Sequence, residues 1–371
     1  MRSLLVLCCQ LLIAIQVQAA PSVVEESVLL PVQIGARTEK LETLIVRPAR
    51  EGRFPLALIV NGSAGKSPAD MHADGLAHLA HDFAHRGWLA ASIVWPGYGR
   101  STGAFEGKAG TCSAPHVITF LDARAKELGA ALDALRTRGD VDSATSLGVG
   151  VSIGGVSMLA LGARQDRPLT AVINISGGIY HYQEAGIPEA NCGPYYQDLA
   201  SNVATFGRRN VTPTLWLYAE NDPFFGPELA QRLVSAYRST GGVADFAALP
   251  AFGENGHTLY KQTANALTQP RIDDFLRRNH LPAMEEAALA PFFAKLPDAD
   301  RKTIRPYLSA ATEKALVMSE NTQRVFWHYG ARTQESARQL ALEACQKTGD
   351  RSCQLIAENL QLVDGWEAAV H

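Results

Sequence analysis

Apolar and polar positions fall into two periods along this chain. Ser27–Gln33 and Leu41–Val46 read as short strands, and Leu56–Val60 is a continuous apolar run bounded by Pro55 and Asn61-Gly62. Such a run predicts a strand buried on both faces. Asp70–Arg86 has helical spacing, with Leu76, Leu79, Ala80 and Phe83 on one stripe, Asp70 placed to cap its start and Gly87 to end it. Trp88–Trp95 is the next strand. Pro115–Thr137 predicts a long helix, Ser146–Val151 a strand, and Ile153–Arg164 a helix directly after it. Leu169–Ile175, Thr214–Tyr218 and Ala244–Leu249 follow as strands, with helices over Leu229–Arg238 and Ile272–Arg278. This alternation predicts an α/β fold, a mostly parallel sheet with helices on both faces. Right-handed crossovers then put the carboxyl ends of its strands on one edge, where such folds keep their chemistry.

The pattern changes after Leu281. Pro282–Ala311 has no sheet period, and Lys314–Ser319, Arg324–Tyr329 and Cys353–Val363 read as strands around a helix over Gln334–Cys345. We expect an α/β domain over 20–282 and a linker with a small α+β unit over 283–371. At the other end, Met1-Arg2 precedes an apolar run that closes on Val17-Gln18-Ala19, small residues at the positions a signal peptidase reads. The expectation is a signal peptide over 1–19 and a secreted or periplasmic protein. No later stretch has the 18 or so uncharged apolar residues of a membrane span.

Composition narrows the classes. With 47% apolar and 19% charged residues, the chain is too apolar for low-complexity disorder. Its 34 basic and 37 acidic residues leave a net charge of −3, with no basic patch to recommend nucleic acid as a partner. Cys112, Cys192, Cys345 and Cys353 lie beyond the leader, an even number that suggests disulfides in an exported chain. Cys345 and Cys353 flank a turn-like Lys347–Asp350 and should pair locally, which leaves Cys112 with Cys192. His72, His78, His81 and His85 share the first long helix but lack a carboxylate or cysteine cluster, so they read as solvated and no metal is expected. Asn61, Asn174 and Asn210 open glycan triplets. Two of these sit at strand ends beside the presumed site, poor places for a sugar, which favours bacterial export.

The chemistry concentrates in three turns. Gly150-Val151-Ser152-Ile153-Gly154 lies between an apolar strand and a helix, the setting of a nucleophile elbow. There the backbone is forced into strained angles, the serine hydroxyl projects above the sheet, and small neighbours let strand and helix approach. A serine hydroxyl needs a base, and the base needs an acid to orient it. Thr214–Tyr218 runs into Ala219-Glu220-Asn221-Asp222-Pro223, and Ala244–Leu249 is followed by Gly253-Glu254-Asn255-Gly256-His257. Asp222 is the expected acid, with Glu220 its rival, and His257 the expected base. The oxyanion needs backbone donors, expected from the N–H groups of Ile153 and of Ser63 in the loop after Leu56–Val60.

Taken together, NGSAG, PGYGRSTG, GVSIGG, AENDPFFGP and FGENGH between about Leu56 and His280 make the chain resemble an α/β-hydrolase, nearest the dienelactone hydrolase-like group. The resemblance implies a Ser152–Asp222–His257 triad that hydrolyses esters or lactones of small molecules without metal or cofactor. Two departures stand out: the nucleophile is serine where dienelactone hydrolases carry cysteine, and Asn61 replaces the histidine common in the oxyanion turn. Gly177–Gln197 is long enough to cap the site. Tyr98, Tyr182, Tyr195 and Phe224 are candidate pocket residues. The rival readings are a serine peptidase of the same superfamily and an inactive binding protein on this scaffold.

Overall fold

A computed structural model describes residues 22–63, 67–105, 107–164, 166, 169–181 and 192–370. The expected leader over 1–19 and Tyr182 lie outside them. Eight strands form one sheet: β1 (Val23–Ile34), β2 (Arg37–Pro48), β3 (Phe54–Val60), β4 (Leu89–Ile93), β5 (Val141–Val151), β6 (Ala171–Ile175), β7 (Thr214–Ala219) and β8 (Ala244–Leu249). Their order is β1-β2-β4-β3-β5-β6-β7-β8. The β1–β2 and β2–β4 ladders are antiparallel, and every pairing from β4 through β8 is parallel. This is the mostly parallel sheet expected of an α/β-hydrolase fold.

Every residue of β4, β6 and β7 is buried, as are Ser146–Val151 of β5. Strands with both faces covered need no polar alternation, which is why they read as unbroken apolar runs. The cover comes from α1 (Ala77–His85), α2 (Val117–Arg136), α3 (Ile153–Gly162), α4 (Gly193–Arg209), α5 (Pro227–Ser239) and α6 (Asn265–Arg278). α1 begins later than expected. Pro68–Asp70 and Ala73–Leu76 are 3-10 turns, and no side chain caps α1, so Asp70 is not its cap. α4 begins at Gly193, so Tyr195 and Tyr196 belong to a helix and not to an insertion loop.

Beyond α6 come three short helices, α7 (Ala290–Lys295), α8 (Asp298–Ile304) and α9 (Pro306–Ser309). A second, antiparallel sheet follows, built from β9 (Ala315–Ser319), β10 (Val325–His328), β11 (Cys353–Glu358) and β12 (Gln361–Leu362), with α10 (Gln334–Gln346) against it. The period of two in β9 explains the layering: Ala315 and Val317 meet Ala337 and Ala341 of α10, while Leu316 and Met318 join Phe292, Tyr307 and Trp366 on the other face. The strand expected over Cys353–Val363 is a hairpin instead. It turns at Asn359, whose φ of +50° suits asparagine.

Buried polar groups join this part to α1. Oδ1 of Asp82 accepts from the N–H and hydroxyl of Thr312 at 3.0 and 2.8 Å, while Oδ2 accepts from Asn265 and Gln269 of α6 at 2.8 and 3.1 Å. Glu313 Oε1 meets His81 at 3.2 Å and His85 at 2.8 Å, and Glu25 holds the other nitrogen of His81 at 2.9 Å. His78, His81 and His85 are therefore not solvated as expected, whereas His72 keeps 44% of its side chain exposed. His78 binds the carbonyl of Tyr260 and His72 the carboxylate of Glu42. Disulfides join Cys112 to Cys192 and Cys345 to Cys353. Among the described residues no helix is long and apolar enough to cross a membrane.

Candidate active site

Ser152 sits where β5 passes into α3, at φ +55° and ψ −122°. A side chain there strains the backbone and persists only where the surroundings fix it. They do: the Ser152 N–H donates to Ile175 O at 2.9 Å, and its carbonyl accepts from Gly155 and Gly178 at 2.9 and 3.2 Å. A Cβ on Gly150 would run into the backbone of Gly154 and Gly155, so the strand can turn into the helix this tightly only with glycine there. From the other side Gly62 approaches so closely that a Cβ on it would lie 2.9 Å from that of Ser152.

Asp222 follows β7, and His257 lies in a 3-10 turn after β8, so parallel strand ends deliver both to the edge that carries Ser152. Nδ1 of His257 donates to Asp222 Oδ2 at 3.0 Å. Asp222 Oδ1 accepts the N–H groups of Phe224 and Phe225 at 2.9 and 3.0 Å. Burial works against its charge, but the histidine and the two N–H groups outweigh that and hold the carboxyl below the usual range. Glu220, the rival acid, is exposed on the same turn. His257 is steadied by Asn255, whose Oδ1 accepts the His257 N–H at 2.9 Å, and by the ring of Phe224 at 4.8 Å.

A cavity of about 620 Å3 joins the serine and the histidine. Ser152 and His257 both line it, as do Ser63, Asn61 and Gly62 of the turn after β3. No hydrogen bond joins Ser152 to His257 among the described residues. Ile153, the first residue of α3, packs its side chain into the core beside the cavity. Of the aromatic candidates, Phe224 lines the cavity and Tyr98 and Tyr195 do not. Tyr98 turns inward against Phe105, with ring centroids 4.9 Å apart, and Tyr195 packs within α4 against His181 and Tyr196. In both cases burying a ring in the core prevails over displaying it.

Tyr180 was missed, although it lines the cavity and stacks on Phe224 at 4.8 Å. Its neighbours in sequence gave no period to place it. Asn61 was noted as a departure in the oxyanion turn and as the start of a glycan triplet; it is 7% exposed at the cavity wall, and its Oδ1 has no hydrogen-bond partner among the described residues. The Cys112–His181–Cys192 group is the one cluster of metal-ligating atoms among the described residues, and its cysteines are bonded to each other.

No family model and no curated protein matches this sequence. Solved structures do. An esterase of Pyrococcus furiosus aligns over 69% of this chain and 91% of its own, at 14% identity and a TM-score of 0.49. An acetyl xylan esterase from Paenibacillus sp. R4 covers 65% of this chain and 81% of its own, at 17% identity and a TM-score of 0.44. A dienelactone hydrolase-like promiscuous phosphotriesterase from metagenomic libraries covers 62% and 82%, at 17% identity and a TM-score of 0.42. Similarity at this level says nothing of this chain's own chemistry.

Proposed function

We propose that this protein is an exported serine hydrolase that cleaves carboxylic ester or lactone bonds. The observation that carries the reading is Ser152, held at φ +55° between β5 and α3 and facing one cavity with a histidine bonded to a buried carboxylate. Asp222 takes the Nδ1 proton of His257 as a hydrogen bond, which fixes the tautomer and leaves Nε2 to accept a proton. As a substrate carbonyl enters, the Ser152 hydroxyl attacks it and passes its proton to Nε2. In free enzymes such contacts are often long and tighten with substrate. The N–H groups of Ile153 and Ser63 meet the developing oxyanion, one such donor contributing about 2.7–4 kcal/mol. His257 then protonates the leaving alcohol, and water releases the acyl group by the same steps reversed.

Export is supported by the leader-like residues 1–19 and by two disulfides, which persist in oxidising compartments. On this reading residues 20–282 form the hydrolase domain and 283–371 a separate unit. A fluorophosphonate probe should label the wild type at Ser152, and a p-nitrophenyl ester should be turned over. Labelling of Ser152→Ala to the same extent would overturn the assignment.

A further inference from the structure

The segment that leaves β6 carries donors that the hydrolase reading does not use. His181 is 3% exposed, and among the described residues neither ring nitrogen has a hydrogen-bond partner. An unsatisfied buried polar group costs about 1–3 kcal/mol, which is out of keeping with a side chain held for packing alone. One of its nitrogens and the Sγ atoms of Cys112 and Cys192 all lie within 4.8 Å of one another. The cysteines stand 5.3 Å apart at Cα, close enough for both sulfurs to reach one ion at bonds of about 2.3 Å. As a disulfide they cannot ligate; as thiolates, with a neutral imidazole, they are the donor set a thiophilic ion such as Zn2+ prefers.

We propose that Cys112, Cys192 and His181 form a redox-gated Zn2+ site, closed by the disulfide and opened by its reduction. A dithiol reductant supplies two electrons and two protons and becomes a disulfide itself, while the Cys112–Cys192 bond breaks into two thiols. Zn2+ then binds both sulfurs and one nitrogen of His181, and the two thiol protons pass to solvent. A small exogenous ligand takes the remaining position, as in open zinc sites with three protein donors. Cys112 lies ahead of α2, Cys192 precedes α4, and His181 follows Tyr180 on the cavity wall. Exchange of disulfide for metal therefore acts one residue away from Tyr180, which lines the candidate active site, although the metal site itself does not depend on the catalytic reading.

Cobalt(II) is the optical probe. Titrated into the reduced full chain, it should give thiolate-to-cobalt charge transfer and tetrahedral visible bands saturating at one ion per chain. The oxidised chain and a reduced Cys112→Ser/Cys192→Ser variant should lack them, although Cys345 and Cys353 remain. His181→Ala should weaken binding by more than the ~10–100-fold typical of a lost outer-shell partner. Identical titrations of the reduced wild type and the double variant, or undiminished affinity in His181→Ala, would overturn the site. A second measurement needs no variant: Zn2+ should protect Cys112 and Cys192 of the reduced wild type from alkylation, read peptide by peptide in a mass spectrometer, and equal alkylation with and without Zn2+ overturns it too.

Discussion

Two of the carboxylate–histidine contacts among the described residues invite comparison, and one of them shares a cavity with Ser152. Asp222 engages a single nitrogen of His257, at 3.0 Å, and among the described residues the other nitrogen has no partner. At the seam between α1 and the C-terminal part, Glu313 engages His81 and His85, and the second nitrogen of His81 is taken by Glu25. The bonds have similar lengths and the histidine side chains similar burial, at 14% exposure for His257 against 12% and 10% for His81 and His85. The difference lies in what each nitrogen is left to do. A base needs a lone pair aimed at a reacting proton. His257 keeps one on a cavity, whereas His81 has spent both nitrogens on carboxylates and can only hold two elements together.

Substitutions at the two carboxylates separate these roles. The largest effect is expected for Asp222→Asn, which preserves shape but reverses the tautomer of His257; kcat on a p-nitrophenyl ester should fall by about 10,000-fold. Parity with wild type would remove Asp222 from the mechanism. Glu313→Ala should do the opposite. It strands two partly buried histidines, and breaking a buried pair costs ~3–5 kcal/mol. Denaturant unfolding should register that loss while kcat per folded molecule stays unchanged. A smaller effect is expected at Asn255, whose side chain caps the turn that holds His257. Asn255→Ala should cost ~1 kcal/mol, and if all of it falls on the position of the imidazole, kcat drops by about 5-fold.

The same contrast explains what could be read in advance. Ser152, Asp222 and His257 follow the ends of apolar strands by one, three and eight residues, so a local pattern locates each one, and parallel topology brings them together. The seam has no such pattern. Glu313 lies 228 residues from His85, and nothing local distinguishes a histidine that will meet a carboxylate from one that will meet water. The helix stripe was legible, but its cap was not. Asp70 has the right chemistry for one, yet the chain makes two 3-10 turns before the α-helix starts. Tyr98 and Tyr195 failed as pocket residues for a related reason: a sequence shows where a ring is, not which way burial turns it. Helices α7, α8 and α9 were illegible because each is two turns or less, too short to show a period of 3.6.

The smallest expected effect is also the most selective for the seam: its dependence on pH. Burial alone would lower the pKa of His81, but its hydrogen bonds to the carboxylates of Glu313 and Glu25 outweigh it and hold the imidazole above its ordinary 6.5. Its contribution is therefore complete below 6.5 and fades as pH climbs through the raised folded value. Glu313 runs the other way. Burial would raise it, yet His81 and His85 hold it down to about 2 from an ordinary 4.5, so its contribution is complete above 4.5 and fades as pH falls toward 2. The seam is thus firmest between 4.5 and 6.5. Lys314 complicates the raw profile, since burial pushes it down to about 7 and its burden on the fold eases above that pH. Subtracting Glu313→Ala from wild type removes most of the lysine effect, because both chains carry it. The Tm difference should be widest inside the window and shrink on either side of it. A difference that stays flat from about pH 4 to about pH 9 would mean that the contact is held by packing and not by charge, and the two carboxylate–histidine centres would then differ in more than the use of their nitrogens.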